Sequence, residues 1–156
     1  MSATKIIYTS VCIFFLIFTS CDNQKIADSY QPIPKNGWPI NFPIQFEYNI
    51  FENSCQTDFL IGLRNNGEYR YSNIFFFVDL IFPDGSSGTD TVQFLLAEPN
   101  GRWLGNGVGP IKHSLLIFKE NQEIQQGIYK FNISHGMRDS VLLGIEDIGV
   151  RIEKSY

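Results

Sequence analysis

From Ile44 onward the chain alternates apolar and polar residues with a period of two, and it holds no long stretch with apolar side chains at i, i+3, i+4 and i+7, the spacing a packed helix needs. Ile44, Phe46, Tyr48 and Ile50 share one side with Gln45, Glu47 and Asn49 opposite, the pattern of an antiparallel strand with one wet face. Phe59, Ile61 and Leu63 repeat it. Asn65-Asn66-Gly67 offers the positive φ angles of a tight turn, and Tyr69 and Tyr71 open the next extended stretch. Ile74 to Phe82 is apolar at every position except Asp79, which predicts a central strand covered on both faces. Pro83-Asp84-Gly85 closes it with turn chemistry. Val92, Phe94 and Leu96 then alternate, and further strands are predicted over Ser114 to Lys119, Tyr129 to Ile133 and Ile148 to Ile152, with room for one helical turn at His135 to Ser140. About seven or eight strands joined by short turns predict an all-β antiparallel sandwich over residues 42–156, immunoglobulin-like or jelly-roll in connection.

What precedes the sandwich has a different character. Lys5 is followed by the apolar run Ile6 to Phe18, broken only by Tyr8, Thr9 and Ser10, and then by Thr19-Ser20-Cys21. That is the layout of a signal peptide over residues 1–20, because the run is well short of the roughly 20 apolar residues a spanning helix needs. Phe18-Thr19-Ser20-Cys21 resembles a lipobox, with Phe18 where Leu is usual, so Cys21 is expected to become the first residue and to carry fatty acyl chains such as palmitate. Two or three such chains hold a protein on a membrane far more firmly than one. Residues 21–41, polar and scattered with Pro32, Pro34 and Pro39, read as a lipidated N-terminus and flexible tether, with Trp38 near its end placed to dock on the body.

Cleavage before Cys21 leaves 136 of the 156 residues, enough for one domain. Losing Lys5 leaves 11 basic against 16 acidic residues, a balance that argues against nucleic acid as a partner. Cys12 departs with the leader and Cys21 is acylated, so Cys55 has no partner for an intramolecular disulfide and stability must come from packing. Its neighbours Asn53, Ser54, Gln56 and Asp58 supply neither base nor positive charge, and the thiol is expected to be inert.

Few residues are arranged for chemistry. The glycine-rich loop from Gly101 to Gly109 lacks the Gly-Lys-Ser/Thr ending of a phosphate loop, and Asp84 to Asp90 lacks the spacing of a calcium cage. His113 and His135 have no paired ligand at zinc spacing, so neither a metal nor another cofactor is expected. Asp79, Asp84, Asp90 and Glu98 read as turn and surface carboxylates; hydrolysis of a glycoside would need two of them facing each other at about 5–9 Å. No enzyme is expected. Trp103, Arg102 and Trp38 are the candidate binding surface, since a loop tryptophan beside an arginine suits a sugar ring or a partner's side chain. Asp90-Thr91-Val92 and Asp139-Ser140-Val141 resemble the Asp-Ser/Thr-aliphatic acceptor for O-glycosylation of exported Bacteroidota proteins, Ser140 being the better candidate because Thr91 falls in a strand.

Three stretches together resemble the gliding-motility lipoprotein GldH family: Tyr71-Ser72-Asn73 through Phe82-Pro83-Asp84-Gly85; Asp90-Thr91 through Gly101-Arg102-Trp103-Leu104-Gly105; and Gly127-Ile128-Tyr129-Lys130-Phe131 with the segment from Gly144 to Lys154. The resemblance implies a non-enzymatic component of the Bacteroidota gliding apparatus, acting with other gliding or envelope proteins and tied to protein export. It carries over one residue, Cys21. The anchor is expected in a membrane outside the cytoplasm, the outer membrane on its periplasmic side. A carbohydrate-binding sandwich is the alternative, motivated by 15% aromatic residues and the two tryptophans.

Overall fold

The computed structural model describes residues 24–155, so the signal segment and Cys21 lie outside the described residues. Ten strands run through the described part: β1 (Lys25–Pro32), β2 (Trp38–Pro39), β3 (Ile44–Ile50), β4 (Gln56–Asn65), β5 (Asn73–Ile81), β6 (Ser87–Leu95), β7 (Lys112–Glu123), β8 (Gly127–His135), β9 (Val141–Leu142) and β10 (Ile145–Lys154). The eight long strands form two four-stranded antiparallel sheets, β1-β10-β4-β7 and β3-β8-β5-β6, and β2 and β9 make a separate ribbon. The pairings are nested. β6 returns on β5 around the turn at Pro83-Asp84-Gly85, β7 pairs β4, β8 pairs β3, β9 pairs β2 and β10 pairs β1. One long hairpin, folded over so that β4 also meets β10 and β5 also meets β8, is the jelly-roll winding; the immunoglobulin-like alternative is set aside.

Alternation explains which faces meet. Ile44, Phe46 and Ile50 from β3, Ile74, Phe76, Val78 and Leu80 from β5, and Tyr129, Phe131 and Ile133 from β8 are buried against Phe59, Ile61 and Leu63 from β4 and Ile148, Val150 and Ile152 from β10. Phe59 reaches across the sandwich to meet Tyr129 and Phe131 edge-on, at centroid distances of 6.0 and 5.9 Å. Contacts of that geometry add about 0.5–1.5 kcal/mol each beyond area burial.

Four expectations need correction. β5 is central in its sheet, yet its outer face is largely open: Phe77 is 44% exposed and Asp79 is open to solvent, because among the described residues no full layer lies outside that sheet. The segment expected as a tether belongs to the sandwich, with β1 paired to β10 along its whole length. Trp38 is wholly buried, its ring 6.1 Å from Phe76 and edge-on to His135, and its indole nitrogen donates to the carbonyl of Phe42. Finally, His135 ends β8, and residues 136–140 form an irregular connection to β9 instead of a helical turn.

The outer face of the first sheet shows how β1 is held. Gly149 pairs with Tyr30 on one side and Gly62 on the other, and the Tyr30 ring lies across both glycines. Its hydroxyl shares a 2.6 Å hydrogen bond with His113 Nε2 on β7, while Arg64, ion-paired to Asp147, sits 5.0 Å from the ring centroid. A Cβ on Gly149 would fall 2.7 Å from the ring, and one on Gly62 would collide with the hydroxyl. Gly62→Ala should therefore destabilise the protein by about 1–3 kcal/mol in denaturant unfolding. Tyr30→Ala should cost stability by itself, yet the double variant should show almost none of the Gly62→Ala penalty, and strict additivity would contradict the packing described.

Candidate functional site

Because β10 starts where β1 ends, the sandwich has two chemically distinct ends. Pro32 pairs with Asp147, Ile33 N donates to Glu146 and Asn66 N to Gly144, which gathers the β2/β9 ribbon, the 66–72 connection and the 136–140 connection at one end. The loop 96–111 joins them, since Leu95 pairs with Asn73 and Lys112 with Asn65. The chain enters at the other end, where Lys25 pairs with Glu153. Arg102, Trp103, Ser140 and Trp38 thus all lie at the end remote from chain entry, whereas Thr91 is exposed in the middle of β6.

Three connected tyrosine and tryptophan rings organise this distal end. Tyr69 is buried, donates its hydroxyl to the carbonyl of Asn73 at 2.7 Å, meets Tyr71 edge-on at 5.8 Å and lies 6.4 Å from Trp103. Burial pushes its phenol well above the ordinary tyrosine range. Tyr71 donates to Asp139 Oδ1 at 3.0 Å, and that bond raises its own pKa. Trp103 is half-buried against the core, held by a bridge to Ala97. Arg102 is exposed but committed to Glu98, whose carboxyl it holds below the usual range. Trp38 offers no binding surface because it is core; a tryptophan flanked by glycine and proline reads as loop, and its pairing with Leu142 and its ring contacts with Phe76 and His135 bury it.

Between these elements lies a shallow cleft of about 290 Å³, lined by Glu68, Arg70, Tyr71, Asp139 and Ser140 together with the ribbon residues that follow. Ser140 is exposed at its margin. The ribbon and its turn also present Ile40, Phe42, Val141 and Leu143 to solvent, at 45%, 49%, 39% and 43% exposure. Sequence reasoning missed this cluster. Its signal was the apolar residues among the prolines of the expected tether, at positions that pair with residues 140–142 in the fold.

The carboxylates are dispersed. Asp79 accepts from Thr89, Asp84 from Ser86, and Asp90 pairs with Lys119 at 2.8 Å between the sheets, while Glu98 holds Arg102 at the distal end. Among the described residues there is no group of three or more His, Cys, Asp or Glu side chains able to hold a metal ion, and no helix long and apolar enough to cross a membrane. Cys55 is half-buried against the core as a free thiol.

A jelly-roll with an exposed apolar group of residues on the ribbon at its distal end, and with Asp79, Asp84, Asp90 and Glu98 each tied to a neighbour, defines a small antiparallel β-sandwich protein. The GldH lipoprotein family model matches residues 25–152, nearly every described residue. The chain is 39% identical over 157 aligned positions to a Christiangramia forsetii protein called a gliding motility lipoprotein GldH homolog, covering 94% of this chain and 96% of that protein. It is 30% identical over 146 positions to the gliding motility lipoprotein GldH of Flavobacterium johnsoniae, covering 89% and 91%. An Aeromonas sobria serine protease structure aligns with a TM-score of 0.37 at 7% identity, over 94% of this chain and 30% of that one, too loosely to carry any argument. The chain belongs to the GldH lipoprotein family. It is a gliding motility lipoprotein of Bacteroidota type, anchored at a membrane of the cell envelope.

His135 ties this end to pH. Its Nε2–H donates to the carbonyl of Trp38 at 3.0 Å, and burial lowers its pKa from the ordinary 6.5; burial and two nearby arginines likewise lower that of His113. Below pH 6.5 the unfolded chain takes up protons that the folded chain refuses, so stability is complete above that value and declines as the pH falls. Melting temperature should drop between pH 7 and pH 5. His135→Gln should flatten that slope whatever its own effect at pH 7, and an unchanged slope would rule out a contribution from the buried imidazole.

Proposed function

We propose that this protein is exported, cut before Cys21, acylated there and held on the periplasmic side of the outer membrane, where it acts as a non-catalytic interaction component of the gliding machinery. The observation that carries the interaction role is the exposed apolar cluster of Ile40, Phe42, Val141 and Leu143 at the end remote from chain entry. Apolar groups gathered on the ribbon, beside a polar cleft, are the composition of a protein contact with an apolar centre and a polar rim. The partner is another gliding or envelope protein. The carbohydrate-binding alternative loses ground, because Trp38 is core and Trp103 turns part of its ring toward Tyr69.

Two variants test the reading together. Cys21→Ala should lose acylation, measured with an alkyne fatty acid, and should leave the membrane fraction. The double variant Val141→Ser, Leu143→Ser should keep its label and its melting temperature, because exposed substitutions change stability by within about 0.5 kcal/mol. Both should abolish spreading of the cells. Normal spreading with the double variant would remove the distal cluster from the function.

We propose further that Ser140 accepts an O-linked glycan and that Thr91 is the poorer acceptor. Ser140 lies in an irregular connection at the edge of a cleft, whereas Thr91 belongs to a paired strand. Mass spectrometry of the native envelope protein should show the peptide containing Ser140 shifted by a glycan mass. An unmodified peptide there would end the proposal.

A further inference from the structure

We infer that the end of the sandwich where the chain enters lies directly on a lipid bilayer, with the ring of Phe51 among the headgroups. The inference rests on Cys21 being the acylated residue. The Gln24 carbonyl already accepts from Lys154 N at 2.9 Å, so the body begins at Gln24. Only three residue steps separate Gln24 from Cys21, and at most about 3.6 Å per residue they span roughly 11 Å. The tether expected from composition would have allowed several times that.

What stands at this end follows from the pairing. Ser155 N donates to Gln56 and Ile124 N to Cys55, placing the 51–55 loop and the 124–126 connection beside the entry point. Gln126 Nε2 donates to the Phe51 carbonyl at 2.9 Å and to Asn53 at 3.1 Å, so the loop is fixed. Phe51 is nonetheless 75% exposed. An aromatic ring held out on a pinned loop, at the end of the body where the chain enters within about 11 Å of an acyl anchor, stands where interfacial aromatic side chains meet the headgroups. The distal apolar cluster cannot share that role: β1 carries it roughly 23 Å further from the anchor. Glu52, Asp84, Glu120 and Glu123 surround the entry end, against Lys25 and Lys154. That balance suits zwitterionic lipid better than anionic lipid.

The acylated full-length protein, with Cys55→Ser to remove the free thiol, would be reconstituted into phosphatidylcholine vesicles carrying a nitroxide on the lipid headgroup. A fluorophore would be placed at Glu52→Cys, beside Phe51, and in a separate preparation at Val108→Cys, a fully exposed position of the distal loop. Vesicle flotation reports the anchor, and quenching reports apposition. Quenching at position 52 should exceed that at 108 by roughly threefold or more, and Phe51→Ser should bring it down while flotation is unchanged. Equal quenching at the two positions in floating protein would overturn the inference and leave acylation standing. Protein that failed to float would overturn both.

Discussion

The ring of Tyr30, laid over two glycines that face each other on neighbouring strands, sets the register of β1 against β10, and that register decides where the chain leaves the body. A strand at the edge of a sheet is held by hydrogen bonds on one side only and is free to slip. Here slippage would drive the ring into side chains, since Gly149 and Gly62 make the only flat path from β1 to His113 among the residues Tyr30 crosses. The ion pairs Arg151 to Asp28 and Arg64 to Asp147 flank the ring and reinforce the same register. With β1 fixed, the nested pairings inside it close, and the two ends of the sandwich acquire their different surfaces.

Much of this is legible from residue order, and the exceptions share a cause. β3 and β8 alternate cleanly because each has one face on the core, whereas β4 and β10 stay buried through their middles, where the Tyr30 ring covers Gly62 and Gly149 on the outer face. β1 does not, because its residues are only partly covered on either side; lysine, aspartate and a terminal proline are what an edge strand tolerates. β5 misleads the other way, since Phe75 and Phe77 on its outer side look like a second buried face, while Phe77 in fact lies over Gly136 and stays 44% exposed. Trp38 reads from sequence as docking on the body or as a binding residue, and what buries it, pairing with Leu142 and ring contacts with Phe76 and His135, is invisible to any local window. The exposed cluster at the distal end escapes the sequence for a related reason: four ordinary apolar residues announce a surface only once the strands that should cover them are known to lie elsewhere.

The carboxylates singled out from the sequence are spread along the sandwich and form no shared site. Each carboxylate considered from sequence is engaged by a neighbour and serves the local structure. Asp84 caps a turn, Asp90 ties β6 to β7, and Glu98 closes a loop. The aromatic network of Tyr69, Tyr71 and Trp103 ties the distal loops together. What remains available at that end is apolar area on the ribbon with a polar cleft beside it.

The direction of β1 has a mechanical meaning. Tension between a membrane at the chain's entry and a load on the distal end would act along the axis of β1, parallel to its neighbour β10. The bridges between the two strands would then be strained in shear, all sharing the force, whereas a strand tugged sideways gives up its bonds singly, like a zip. Tyr30 adds a peg across that sliding plane, engaged at its far side with β7. A protein linking a lipid layer to moving machinery would in this way resist extraction through geometry as much as through the strength of any single contact.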